Sequence, residues 1–138
     1  MDSDWAKNLA ARKKSELEAK RLQQEKDLND RKLLDTNADK MWVEVRRAAA
    51  ACCKELNSSM GSDYIKFEGA SYHNSFTLIT PEATYTATFS PQTWLLSAQE
   101  ITYTLVIAEG NIVLWKDAQG NTLSSEKVAQ NIVGTAFR

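Results

Sequence analysis

Much of the usual chemical equipment is missing from this chain. It has one histidine, His73, in 138 residues, so neither a His-pair metal site nor a triad needing a second histidine can be assembled. A lone histidine in a strand-like run is read as structural. The five glycines stand singly, with no GxGxxG or GxxxxGK[ST] pattern. No phosphate-cradling loop is therefore expected, and no nucleotide, metal or other cofactor. The two cysteines, Cys52 and Cys53, are adjacent. On a helix such neighbours point about 100° apart, so they cannot bridge and are read as free thiols.

Long apolar runs are absent as well. No stretch approaches the ~20 residues needed to cross a bilayer, and the N-terminus begins acidic, without the apolar region of a signal peptide. The expectation is no membrane, and a reducing, cytoplasmic setting. Net charge is −1, which gives no electrostatic reason to seek nucleic acid. Little in the composition points to catalysis.

What is present changes character near residue 60. Met1–Met60 carries 13 Lys/Arg and 11 Asp/Glu, whereas Gly61–Arg138 carries 4 and 7. The first stretch reads as helix and the second as antiparallel sheet. Residues 1–34 form a polar helical arm: Asp4–Leu34 has no Gly or Pro and is built of strong helix formers. The pairs Glu16–Lys20 and Asp27–Arg31 are favourably oriented at i,i+4. Its apolar side chains are few. Leu17, Leu22, Leu28 and Leu33 keep no heptad register, but Leu17→Leu28 and Leu22→Leu33 are each eleven apart, the spacing of a nearly straight pairing. These four leucines are the candidate interaction residues. Either they rest on the same chain's sheet or they meet a partner protein, with a second copy, a homodimer, slightly favoured. Interleaved acids argue against an RNA- or DNA-binding helix.

The pattern resets around Asp35-Thr36-Asn37, where Thr36 and Asp39 resemble a weak capping box. Residues 36–57 then form an amphipathic core helix with Ala38, Met41, Trp42, Val45, Ala48, Ala49, Cys52 and Leu56 on one face. Glu44, Arg46, Arg47, Lys54 and Glu55 lie mainly off that face. A kink at the reset and one continuous helix are both compatible with the pattern.

Residues 63–123 read as an antiparallel meander of about five strands: Tyr64–Glu68, Tyr72–Thr80, Ala83–Phe89, Glu100–Ala108 and Asn111–Lys116. They alternate with period two and are separated by short turns, which force antiparallel neighbours. Gln92–Gln99 is ambiguous, since Trp94-Leu95-Leu96 suits an edge strand, a helical turn or a plug. Thr77, Thr84, Thr86, Thr88, Thr102 and Thr104 fall opposite the aromatics and suit a solvent-facing surface. Residues 124–136 form a C-terminal helix, capped by Ser124 or Ser125, with Val128, Ile132, Val133 and Phe137 inward.

The expected fold is a single α+β domain. The expected function is a non-enzymatic binding or assembly module acting through the arm or a sheet face. The alternative is a small-ligand pocket protein, possibly an enzyme, with Tyr85, Trp94, Tyr103 and Trp115 lining a cavity between sheet and helices.

Overall fold

The computed structural model describes residues 3–69 and 74–138. The architecture is α+β: helix α1 (Ser3–Met60), a seven-stranded sheet and helix α2 (Ser125–Phe137). The strands are β1 (Lys66–Glu68), β2 (Ser75–Ile79), β3 (Thr84–Ser90), β4 (Leu95–Ala98), β5 (Ile101–Ala108), β6 (Ile112–Lys116) and β7 (Thr122–Leu123). Each pairs antiparallel with the next, in the order β1-β2-β3-β4-β5-β6-β7, and the sheet curls into a half-barrel. The chain divides into two compact units, one ending at Leu33 and the other Leu34–Arg138.

Two strands more than expected are present. The ambiguous segment resolves into a turn and then β4, whose Leu96 and Ala98 face the core while Leu95 and Ser97 face out. The second extra strand, β7, is two residues long and pairs with the end of β6. Sequence periodicity is weak in runs this short. The expected second strand is shorter than read, and its Tyr72 and His73 lie outside the described residues.

The turn before β4 contains an unusual backbone. Trp94 has φ 55, a left-handed conformation that is strained for a bulky side chain. Its indole N–H donates to the Asp35 carboxylate at 3.0 Å, and its carbonyl accepts from the Leu105 amide at 3.0 Å. Strain at one residue is thus offset by two bonds that fasten the turn.

Helix α1 runs unbroken through Asp35-Thr36-Asn37, so the capping pattern there starts no new helix. Within residues 34–60 the buried side chains are Ala38, Met41, Trp42, Val45, Arg46, Ala49 and Cys53. Two details of the sequence reading need correction. Cys53, not Cys52, continues the buried line, because Trp42, Val45, Ala49 and Cys53 follow one another at helical spacing while Cys52 is turned toward α2 and half-buried. Arg46 is 7% exposed rather than off the core. It lies one turn after Trp42, where a long aliphatic stem can cover apolar surface.

The sheet presents two unlike faces. Inward, Phe76, Leu78, Phe89, Leu96, Leu105 and Trp115 are buried. Outward, cross-strand partners such as Thr77–Thr86 and Ser97–Thr102 are polar and at least partly exposed, which is the alternation of a sheet packed on one side. Trp42 fills the inner concavity, stacked on Phe76 at 5.6 Å and on Phe89 at 5.5 Å between ring centroids. Phe89 in turn meets Trp115 edge-on at 5.6 Å.

Helix α2 is capped by Ser124, whose hydroxyl accepts from the Lys127 amide. It buries Val128, Ala129, Ile132 and Val133. Phe137 is half-buried and packs edge-on against Tyr64. One buried polar chain ties the layers together. The Trp115 indole N–H donates to the Ser125 hydroxyl at 3.0 Å, which donates onward to the Met41 carbonyl at 3.4 Å.

Two substitutions test this packing by urea denaturation. Trp42→Ala is expected to cost ~3–5 kcal/mol of stability, and an unchanged midpoint would contradict the packing. Ser125→Ala leaves the Trp115 N–H buried without its acceptor, so a loss of about 1–3 kcal/mol is expected.

Candidate functional site

Described by itself, the arm is a solvated helix. Every residue from Asp4 to Asn29 is exposed, including Leu17 at 55%, Leu22 at 53% and Leu28 at 54%. Leu33 is half-buried. The ion pairs that close are Arg21 with Glu18 and Glu25, and Lys26 with Asp30, rather than Glu16–Lys20 and Asp27–Arg31. Exposed pairs of this kind contribute only tenths of a kcal/mol each.

At 100° per residue the four leucines form two lines. Leu17 and Leu28 share one side, and Leu22 and Leu33 share another about 140° away. The two sides differ in charge. Around the Leu17–Leu28 line, Lys13, Lys20 and Arg31 run along one flank and Lys14, Arg21 and Lys32 along the other. No acidic side chain of Asp4–Leu33 falls within that arc. The Leu22–Leu33 side is mixed, with Glu18, Lys26 and Asp30 nearby. Acids border the Leu17–Leu28 arc, Asp27 next to Lys20 and Glu25 next to Lys14 and Lys32, and Arg21 is already paired with Glu18 and Glu25.

The globular unit offers several kinds of surface. The first is the pair of sheet edges, and these are short. At the β1 edge the Asn57 side-chain amide accepts from the Ile65 amide at 2.9 Å and donates to the Ile65 carbonyl at 2.8 Å. A side chain thus takes the place of a neighbouring strand, which blunts the edge against further pairing.

The second is a polar cleft of about 390 Å³ beside α2, where Glu100, Tyr103, Asp117, Asn131 and Arg138 meet. Its Asp117 carboxylate is already committed, accepting from the Gln119 and Asn121 amides at 3.0 and 2.8 Å. Burial pushes the Tyr103 hydroxyl up from its ordinary pKa, against the opposing effect of its hydrogen bond with Asn131.

The third is a groove between the C-terminal half of α1 and α2. It consists of two adjoining clefts of about 480 and 340 Å³ that share Cys52, Glu55 and Gln130. Ala48, Ala51, Cys52, Leu56, Val133 and Gly134 supply its small and apolar lining. Its charged groups are Glu44, Glu55 and Glu126 against Arg47. Burial, then Glu55 and Glu126, raise the pKa of the Cys52 thiol.

The four aromatics expected to line one cavity are placed separately. Trp115 is fully buried and bonded to Ser125. Trp94 is half-buried at the β3–β4 turn. The Tyr85 hydroxyl donates to the Ala98 carbonyl at 2.9 Å, and Tyr103 borders the polar cleft. Between sheet and helices the space is occupied by Trp42 and its ring neighbours.

Among the described residues no three His, Cys, Asp or Glu side chains gather as metal ligands. No helix of the described residues is long and apolar enough to cross a membrane. Arg46 Nε is buried and has no hydrogen-bond partner among them. No family model, curated protein or solved structure matches the chain.

Sequence reasoning missed the α1–α2 groove, because it depends on where α2 lands. One signal was available: Ala48, Ala51 and Cys52 leave α1 thin on the side of Glu44 and Glu55.

Burial of the thiols gives a testable pH dependence. Cys53 is pushed from 9.0 to about 11, first by burial and then by the neighbouring Cys52. The folded chain therefore keeps this proton above pH 9, where the unfolded chain has released it. The associated stability is present below pH 9 and is lost as pH rises toward 11. Urea midpoints should fall across that range, and less steeply in Cys53→Ala. Equal slopes in the two proteins would contradict this burial.

Proposed function

We propose that the protein is a non-enzymatic assembly module that associates through its helical arm, with a second copy of itself as partner. The carrying observation is the exposure of Leu17, Leu22 and Leu28 along a helix whose residues 4–29 bury nothing. Most helical stability in proteins comes from packing an apolar face rather than from propensity, and a polar helix that packs nothing lacks that support. Residues 34–138 complete a core of their own around Trp42, so the arm is not needed to build it. A segment superfluous to the core that displays regularly spaced leucines suits association.

The test is mass in solution, by light scattering coupled to size exclusion across a concentration series. Expected is a species of twice 15.5 kDa at high micromolar concentration. Leu17→Ala/Leu28→Ala should shift it to monomer while leaving the urea midpoint of the globular unit unchanged. A wild-type chain that stays monomeric throughout would overturn the assembly reading.

A further inference from the structure

Between β1 and the flank of α1 lies a cleft of about 550 Å³. Ala50, Cys53 and Asn57 line it from α1, and Ile65 and Phe67 from the sheet. The exposed Lys54, Asp63 and Lys66 stand around its rim.

Strand pairing shows which way the backbone of this edge points. The Thr80 N–H donates to the Ala83 carbonyl at 2.9 Å, so Thr80 faces β3. Along an antiparallel strand the backbone groups of successive residues face alternate sides. Ile79 and Thr77 therefore face β1 and bond their register partners, Lys66 and Glu68. Phe67 lies between those two and turns its N–H and C=O outward. The Asn57 amide agrees, since it bonds Ile65, two residues earlier, from that same outer side. It covers Ile65 alone. The outward groups of Phe67 meet no hydrogen-bond partner among the described residues.

We propose that this cleft receives an extended segment of a partner protein, paired with Phe67 and carrying an apolar side chain next to an acidic one. The arm takes no part in it, so this inference stands apart from the assembly reading above.

An open strand edge is a template for one more strand, which makes the partner's backbone extended. Residues directly opposite in a sheet point to the same face. The partner residue opposite Phe67 therefore enters the cleft, where Ala50 and Cys53 carry little bulk and the half-buried Phe67 ring offers apolar surface. Charge selects its neighbour. Lys54 and Lys66 face one acid, Asp63, around the cleft, and Lys66 is already paired with Glu68 at 3.5 Å. Lys54 joins no ion pair among the described residues, so the partner's carboxylate meets Lys54. Two backbone bonds fix the register of the segment, and the cleft supplies its affinity.

The experiment pans a phage-displayed library of short random peptides on the full-length protein. Enriched peptides are then measured by fluorescence anisotropy against wild type and two variants. Phe67→Pro removes an N–H that the sheet does not use, a change that edge strands tolerate. Lys54→Glu reverses an exposed helix charge. Circular dichroism checks the fold of each, and Lys54→Glu decides alone if the proline variant unfolds. Wild type is expected to enrich apolar peptides that contain Asp or Glu, and each folded variant to bind them about tenfold more weakly or worse. No enrichment on wild type overturns the inference, as do peptides that bind either variant as tightly as wild type. A dimer that Phe67→Pro dissociates and Leu17→Ala/Leu28→Ala does not would place a second copy on this edge, and overturns it too.

Discussion

The fold depends on one aromatic insertion. Trp42 enters the concave face of the sheet and stacks on Phe76 from β2 and Phe89 from β3. Phe89 passes the contact to Trp115 on β6, and the Trp115 indole reaches Ser125 at the start of α2. One helix residue therefore touches or indirectly positions both sides of the half-barrel and the closing helix. Large aromatics supply this because each buries more area than any aliphatic and adds a ring-pairing contribution of about 0.5–1.5 kcal/mol.

With the concavity filled by protein, the surfaces left to act are peripheral. The sheet edges are short, and one is occupied by the Asn57 amide. The outer sheet face carries Thr and Ser on β2, β3 and β4, and Val106, Ile112 and Leu114 on β5 and β6. The α1–α2 groove is different in character, since its small residues leave space and Glu44, Glu55 and Glu126 outnumber Arg47 on its border.

Much of the fold was legible in the sequence, and the reasons are local. The stripe through Met41, Trp42, Val45 and Ala49 is helical in period and buried. Phe76, Leu78, Tyr103 and Leu105 alternate as strands do and face inward. Ser124 caps α2 as its position ahead of an apolar run suggests. Strands β4 and β7 escaped because four and two residues hold too little periodicity, and in β4 a strained Trp94 replaces the usual turn residue. The exchange of Cys52 for Cys53 and the burial of Arg46 follow from the angle at which α1 meets the sheet. No pattern within α1 encodes that angle. For the candidate site the leucines were visible and the groove was not, because one is a property of a single helix and the other of two packed together.

The claim that the arm exists to associate is tested most directly by hydrogen exchange at two protein concentrations, one well below and one well above the midpoint of association. An isolated arm frays and exchanges quickly, whereas a docked one is protected. The account predicts that protection of residues 4–33 rises with concentration, while the segment around Trp42 stays equally protected at both. Arm protection that is the same at both concentrations would contradict it.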